Sequence, residues 1–349
     1  MHELYRMLLA TKRGRKNMNK LLKKFTKSNE FMVFILLVMV FGIFTAINPT
    51  FLSMRNMFDL FRTMIVTGIF ACGVMMIIIN GGIDMSFMAI AICSGYITIR
   101  FANAFGMQGP FLLLLVISGV LGVLFGFLNA LLVNTFEIPV FIATLSVATA
   151  IRGLVLAFVG NEYVANADMP DATIAFSKRY LFNMVDDSGA TYGLHLGVFI
   201  MLGIMIFTHL LLRYTIIGRG VYALGGDSVS ARRIGYNITH LRFFLYGYAG
   251  LLAGLGGLIY VSNNRMADPM SFQGEELSVI AAVVLGGTSI SGGKGSIAGV
   301  FLGLMLTNVI NNNLVLINVP SYWQKLVFGL LIIVAVFAQS MRAKTLTKI

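Results

Sequence analysis

The stretch VMMIIINGGIDMSFMAIAICSG, from Val74 to Gly95, places an apolar run, a double glycine, a small polar patch and a second apolar run in direct succession. Further apolar residues extend both runs in the sequence. About 20 predominantly apolar residues are enough to cross a bilayer as a helix. The stretch therefore predicts two membrane-spanning helices that are joined by a break.

The rest of the chain repeats this apolar character. Of its 349 residues, 58% are hydrophobic and only 11% are charged, whereas a soluble domain carries roughly 25% charged residues. Hydropathy predicts ten spans, at residues 31–48, 60–79, 86–104, 111–134, 139–160, 193–213, 241–262, 276–290, 296–314 and 322–340. We expect an all-α, polytopic integral membrane protein of about ten helices, some broken, in one transmembrane domain over residues 30–341.

The distribution of charge predicts the topology. The formal net charge is +12, and much of it lies in the tail of residues 1–29, directly before the first span. Cytoplasmic segments carry an excess of Lys and Arg. That rule places the basic loop 214–241 and the tail 342–349 inside, and the acid-rich loop 161–192 outside. Both termini are thus expected in the cytoplasm, and the positive charge indicates a lipid bilayer rather than a nucleic acid as partner.

The stretch IAAVVLGGTSISGGKGSIAG, from Ile280 to Gly299, repeats the order of the opening stretch: an apolar run, a double glycine, a small polar patch and another apolar run. Helices that are broken at corresponding places in two halves indicate a translocation pathway. The candidate pathway or helix-break residues are Asn80, Gly81, Gly82, Asp84, Ser86, Gly286, Gly287 and Thr288. Because ionisable residues at membrane depth are often functional, Asp84 either lines or gates the pathway or caps the broken helix. Arg152 is a second candidate, unless it extends to the interface.

The glycines around Lys294 invite comparison with a phosphate-binding loop. Aligning the Walker pattern on Gly293-Lys294 puts Thr288 at the first glycine and Gly295 at the hydroxyl residue that binds magnesium. The pattern fails at both positions, and the preceding residues read as a span rather than a strand. We therefore expect no cofactor on this chain, and a turn near the cytoplasmic face with Lys294 in water or headgroups.

Other polar residues show no catalytic or metal-binding arrangement, so we predict no metal site and no enzyme. Cys72 and Cys93 lie inside apolar runs and are expected to be packing residues. The histidines are expected to be packed or interfacial. The asparagines either form hydrogen bonds between helices or bind a polyhydroxylated solute. These residues are His2, His195, His209, His240, Asn129, Asn308, Asn311, Asn312 and Asn313.

The cytoplasmic segment GGDSVSARRIGYN, from Gly225 to Asn237, predicts a short helix. Asp227 or Ser228 would cap its start and Gly235 would end it. A short polar helix on this face suits docking of a soluble partner, or it is a connector whose arginines only set the topology.

Several motifs in order resemble the sugar-type permeases of ABC transporters, the ribose, galactose and xylose permeases, which are related to branched-chain amino-acid permeases. They are NGGIDMS, IPVFIATLSVATAIRGL, the segment from Tyr222 to Leu306, and YWQKLVFGLLIIVAV. The chain departs from the family at Met85, Phe87 and Met88 after GGID, and at Asp227, where Asn is common.

This resemblance implies the membrane subunit of an ATP-driven importer in the inner membrane. It implies a second permease copy, an ATPase subunit that holds ATP and Mg²⁺, and an extracytoplasmic solute-binding protein received by the outer loop. It also implies coupling contacts to the ATPase at Gly225, Gly226, Asp227, Ala231, Arg232 and Gly235.

The substrate remains open at this point. A neutral sugar is the main expectation, with a signalling sugar, a nucleoside or a branched-chain amino acid as alternatives. The other class of function is a stand-alone secondary transporter or channel. Such proteins usually place ionisable or carbonyl-lined sites at mid-membrane, where this sequence offers little beyond Asp84.

Overall fold

The computed structural model describes residues 29–107, 109–185, 189, 191–317, 319–320, 322–324, 326–327, 329–330, 333 and 337. Within them lie twelve α-helices and one β-hairpin. The first six helices are α1 (Asn29–Ile47), α2 (Met54–Ile79), α3 (Phe87–Ala104), α4 (Phe111–Thr135), α5 (Val140–Phe158) and α6 (Asp171–Ser177). After the hairpin, β1 (Tyr180–Val185) and β2 (Thr191–His195), come α7 (Leu196–Tyr214), α8 (Ile216–Gly226), α9 (Ser228–Arg233), α10 (Ile238–Asn264), α11 (Glu276–Leu285) and α12 (Ile297–Leu316). Two 3₁₀ turns, Pro49–Leu52 and Asn166–Asp168, lie between these elements, and the described residues among 322–337 are also helical.

Eight of these helices are long and apolar enough to cross a membrane, and the ends of each lie within six residues of a predicted span. The eighth predicted span is the short apolar helix α11, as its double glycine indicated. Most of the tenth span lies outside the described residues, as do residues 1–28 and the tail 342–349. The polytopic helical class is confirmed.

The long helix α10 lies at the centre of the bundle, packed against α2, α3 and α4. Its contact with α4 is made through small residues, since a Cβ added at Gly122 would collide with the Gly250 carbonyl oxygen and one at Gly254 with that of Ser118. The Ser118 hydroxyl also donates to the Gly254 carbonyl oxygen over 2.7 Å. Small residues allow membrane helices to approach backbone to backbone, and here they join α4 and α10 closely.

The two ends of the bundle carry different secondary structure, a β-hairpin at one end and a short helix at the other. The helix α7 connects β2 at one end, which we call the hairpin end, to α8 at the other, the α8 end. The hairpin is antiparallel, with Tyr180 opposite His195, and an isolated β-bridge joins Val164 to Ala267. The sequence signal of the hairpin was two runs rich in aromatic and aliphatic residues on either side of a turn-forming segment.

The buried His195 ends the hairpin and caps α7. Its Nδ1 accepts from the Gly197 amide over 3.0 Å, which assigns the proton to Nε2, 3.1 Å from the Phe176 carbonyl oxygen. Burial, aided by the positive charge of Arg62, lowers the pKa of His195 to about 4. The ring is therefore a neutral structural cap, in line with the expectation of a packed histidine.

Candidate translocation path and coupling surface

The first helix break, residues 80–86, joins α2 to α3 and is held by side chains. Asp84 is 3% exposed, and its Oδ1 accepts from both the amide and the hydroxyl of Ser86, each over 2.6 Å. An aspartate that accepts from the amide two residues ahead forms a local turn that starts the next helix. Asp84 therefore closes the turn directly before Ser86, the N-cap residue of α3.

Two further hydrogen bonds tie this break to neighbouring helices. Asn129 of α4 donates to the Ser86 hydroxyl over 2.6 Å, and the Met85 amide donates to the Thr144 hydroxyl of α5 over 3.0 Å. Ser86, Asn129 and Thr144 are all fully buried. The polar network is therefore enclosed by α3, α4 and α5, with Asp84 inside it.

The second break, residues 286–296, joins α11 to α12 and is held by backbone contact. Gly287 has a φ of 95°, a conformation that suits glycine. A Cβ added at Gly286 would collide with the Gly299 carbonyl oxygen, and one at Gly303 with that of Ala282. The end of α11 therefore lies directly on the backbone of α12, and Thr288 is fully buried beside it.

The two breaks meet at the α8 end. The Gly293 amide donates to the Ile79 carbonyl oxygen at the end of α2 over 2.8 Å. A Cβ added at Gly225, in the last turn of α8, would collide with that same oxygen and lie 2.8 Å from the Gly293 nitrogen. The Tyr222 hydroxyl also donates to the Gly295 carbonyl oxygen over 2.8 Å. We call the meeting of Ile79, Gly225 and Gly293 the three-segment contact.

The short helix α9 follows α8 directly, with the cap that the sequence predicted. Asp227 accepts from the Ser230 hydroxyl over 2.5 Å and from the Val229 amide over 3.0 Å. These bonds favour the carboxylate and lower the pKa of Asp227. Gly235 ends the segment with a φ of 97°, so both predicted signals have their expected geometry.

Not all of the six predicted coupling residues face outward. Gly226, Asp227, Arg232 and Gly235 are exposed and Gly225 is partly buried. Ala231 is 1% exposed, so its side chain packs α9 onto the body of the chain and offers no surface to a partner.

Toward the hairpin end, a cavity of about 480 Å³ lies between α5 and the segment 266–275. Its polar residues are Thr149, Arg152, Gln273 and Glu276. Arg152 Nη2 lies 3.6 Å from Glu276 Oε1, so the two side chains form an ion pair. The sequence pointed to Arg152 but not to Glu276, because nothing in the hydropathy places α5 beside the start of α11.

The remaining candidates have structural surroundings. Cys72 and Cys93 are buried and are not joined to each other. Asn308 and Asn313 donate to carbonyl oxygens of their own helix, and Asn312 lies 3.5 Å from Asn56 of α2. Among the described residues no group of His, Cys, Asp and Glu side chains could hold a metal ion.

Comparison with known proteins identifies the family. Residues 56–336 match the family described as the branched-chain amino acid transport system, permease component. The chain belongs to this permease family. The permease is 31% identical to the ribose import permease protein RbsC of Haemophilus influenzae, over 88% of its own length and 92% of that protein. It is 33% identical to RbsC of Bacillus subtilis, over 87% and 89% of the two chains.

A more distant relative is the fructose import permease protein FruG of Bifidobacterium longum, 29% identical over 88% of both chains. No solved structure matches the permease. Its family and the eight apolar helices of its described residues make it a multi-pass membrane protein and a transport component rather than an enzyme.

Proposed function

We propose that the permease is the membrane-spanning subunit of an ATP-driven importer of the ABC type, and that its solute is a neutral sugar. Relatives that match over nearly nine-tenths of the chain are named for import of ribose and fructose. ATP and Mg²⁺ would be held by a separate ATPase subunit. The glycine-rich segment GGKG, residues 292–295, lacks the Walker residues and forms a tight turn between two apolar helices. A bacterial cytoplasmic membrane, with both termini inside, fits the charge bias.

The three-segment contact is the observation that carries this proposal. The helices α8 and α9 present exposed polar residues at one end of the bundle, where a soluble ATPase would dock. Gly225 touches Ile79 and Gly293 without room for a single methyl group. A displacement of α8 therefore cannot be absorbed by side-chain rearrangement, and it shifts the end of α2 and the turn 286–296 together. Docking at α9 would thus act on both breaks at once.

The hairpin end supports a role in receiving a solute-binding protein. The strand β1 exposes Leu181, Phe182, Met184 and Val185, at the end of the bundle opposite α9. A second permease copy would cover the polar cavity beside α5, which opens on the surface of a single chain and is poorly suited to lipid.

Transport by the reconstituted complex tests the proposal. The permease is purified from its native membranes with the subunits that remain bound, and the complex is reconstituted into proteoliposomes. We expect an ATPase to copurify, and uptake of ribose or fructose to depend on ATP and the binding protein, with no uptake of leucine. Uptake by the permease alone would support a stand-alone transporter. Uptake of leucine but of neither sugar would refute the proposal that the solute is a sugar.

A charge reversal tests the docking surface. We expect Arg232→Glu to reduce recovery of the ATPase at least tenfold, since Arg232 is exposed on α9. The matched control is Lys178→Glu, the same change of charge at an exposed position near the hairpin end, which should leave recovery unchanged. Equal recovery with both variants would show that α9 is only a connector.

A further inference from the structure

We infer that the cavity between α5 and the segment 266–275 is a contact site for a polyhydroxylated solute, with Arg152 and Glu276 as its principal hydrogen-bonding groups. This inference rests on the proposed function and adds the residues that meet the solute. Its volume of about 480 Å³ lies within the usual range for small-molecule sites.

The chemistry of the lining suits hydroxyl groups. Arg152 and Glu276 supply donors and acceptors of opposite charge, and Thr149 and Gln273 add groups of both kinds. The remaining lining is mostly apolar, with Leu145 and Met270 among it. A paired arginine and carboxylate have no net charge, so the site favours a neutral solute over an ion.

Arg152 is incompletely satisfied. Its ion pair of 3.6 Å is longer than a hydrogen bond, and its Nε and Nη2 atoms are buried with no hydrogen-bond partner. Buried polar groups normally have a partner. The Arg152 side chain as a whole keeps 15% of its surface exposed, so a solute in the cavity meets this exposed part of a group that the bundle leaves incompletely bonded.

The position of the pair also favours a pathway. Arg152 lies twelve residues after the start of α5, about 18 Å along the helix, and six residues before its end. Charged side chains at such depth line water-filled cavities or protein interiors rather than lipid. Met85, in the first break, borders the same cavity, so a solute there would lie next to the segment that the three-segment contact moves.

The enclosed network at Asp84 serves as a contrast. Asp84, Ser86 and Asn129 are at most 3% exposed and bond to one another, so they leave a solute no access. Thr149 and Gln273, by comparison, are exposed. We therefore expect the solute to contact the polar residues of the cavity, although the sequence had drawn attention to Asp84.

The test uses the complete ATP-driven complex in proteoliposomes, with ribose or fructose, whichever the wild-type complex takes up. Arg152→Lys keeps the charge but loses the planar fork, and Glu276→Gln removes the charge. We expect each variant to lower uptake at a fixed, limiting sugar concentration at least tenfold, with uptake normalised to the amount of complete complex recovered. The control is Arg62→Lys, a partly buried arginine that bonds Tyr180 outside the cavity, with uptake within twofold of wild type.

A second measurement keeps the inference testable if either variant fails to assemble. Thr149→Cys introduces an accessible thiol into the cavity, whereas Cys72 and Cys93 are buried. During turnover, sugar should slow its modification by a small methanethiosulfonate reagent at least threefold, and leucine should not. Wild-type-like uptake by both Arg152→Lys and Glu276→Gln, or equal labelling with and without sugar, would overturn the inference. Absence of uptake by the wild-type complex would instead refute the proposed function.

Discussion

The two helix breaks share a sequence pattern but are held by different means. Residues 80–86 are fixed by side chains, through the bonds of Asp84, Ser86, Asn129 and Thr144. Residues 286–296 are fixed by backbone contact with α8, α12 and the end of α2, at points where glycine leaves no space. A double glycine thus identifies a place where a helix ends, but it does not identify the contacts that hold the break in its conformation.

This difference predicts opposite sensitivities. A side-chain network loses one bond at a time, and each loss has a moderate cost. A backbone contact has no flexible atom that can move aside, so one added methyl group affects every segment that meets there. The following variants test this contrast.

The largest effect is expected at Gly225→Ala. Its Cβ would collide with the Ile79 carbonyl oxygen, so α8 and α2 would have to separate, at a cost of about 4 kcal/mol or more in the free energy of unfolding. We expect little folded, monodisperse protein after extraction into detergent. The neighbouring control, Gly226→Ala, meets no atom within 4 Å and should resemble the wild type. Equal yields of both variants would remove the distinction between the breaks.

His195 is a titratable side-chain cap at the hairpin end, and its contribution to stability should depend on pH. The folded-state pKa of His195 is about 4, below its ordinary value of about 6.5. Between these values the unfolded chain binds a proton that the folded chain does not, so stability falls as the pH drops from 6.5 to 4. The loss from this group is at most about 3.4 kcal/mol, at about 1.36 kcal/mol for each pKa unit.

His195→Asn should retain the acceptor for Gly197 but not the titration. Thermal unfolding in detergent at several pH values would therefore show a flatter profile for this variant across that window. An unchanged profile would mean that His195 does not titrate on unfolding.

At the first break, Asp84→Ala should cost about 2 kcal/mol, because the buried Ser86 amide loses its acceptor. Asp84→Asn keeps one carbonyl oxygen for the same donors and should cost distinctly less. Thermal midpoints in detergent separate the two variants. If Asn were as damaging as Ala while both proteins folded, the charge of Asp84 rather than its bonds would matter.

The smallest effect is expected at Thr144→Val, which leaves the Met85 amide without its acceptor at about 1 kcal/mol. The control is Ser146→Ala, an exposed hydroxyl of the same helix that bonds only the Ile142 carbonyl oxygen. A thermal midpoint for Thr144→Val equal to that of the control would show that this hydrogen bond between the first break and α5 contributes nothing.

Much of the fold could be predicted from the sequence because apolar runs of spanning length have few alternatives to a helix. The cap at Asp227 and the stop at Gly235 were also predictable, since both depend on residues within a few positions of one another. The Arg152–Glu276 pair, the Asn129–Ser86 bond and the three-segment contact were not. Each joins distant parts of the chain, and hydropathy does not determine which helices are neighbours. The hairpin was missed because its turn-forming and acidic residues read as a loop.

The glycine-rich contact between α4 and α10 has a mechanical consequence. Helices that touch backbone to backbone have no long side chains to bend or re-pack between them, so the pair translates and tilts as a single rigid body. Any motion that opens and closes the bundle must therefore take place at other helix boundaries. Residues at those boundaries, rather than along the α4–α10 seam, are the places to attach distance probes.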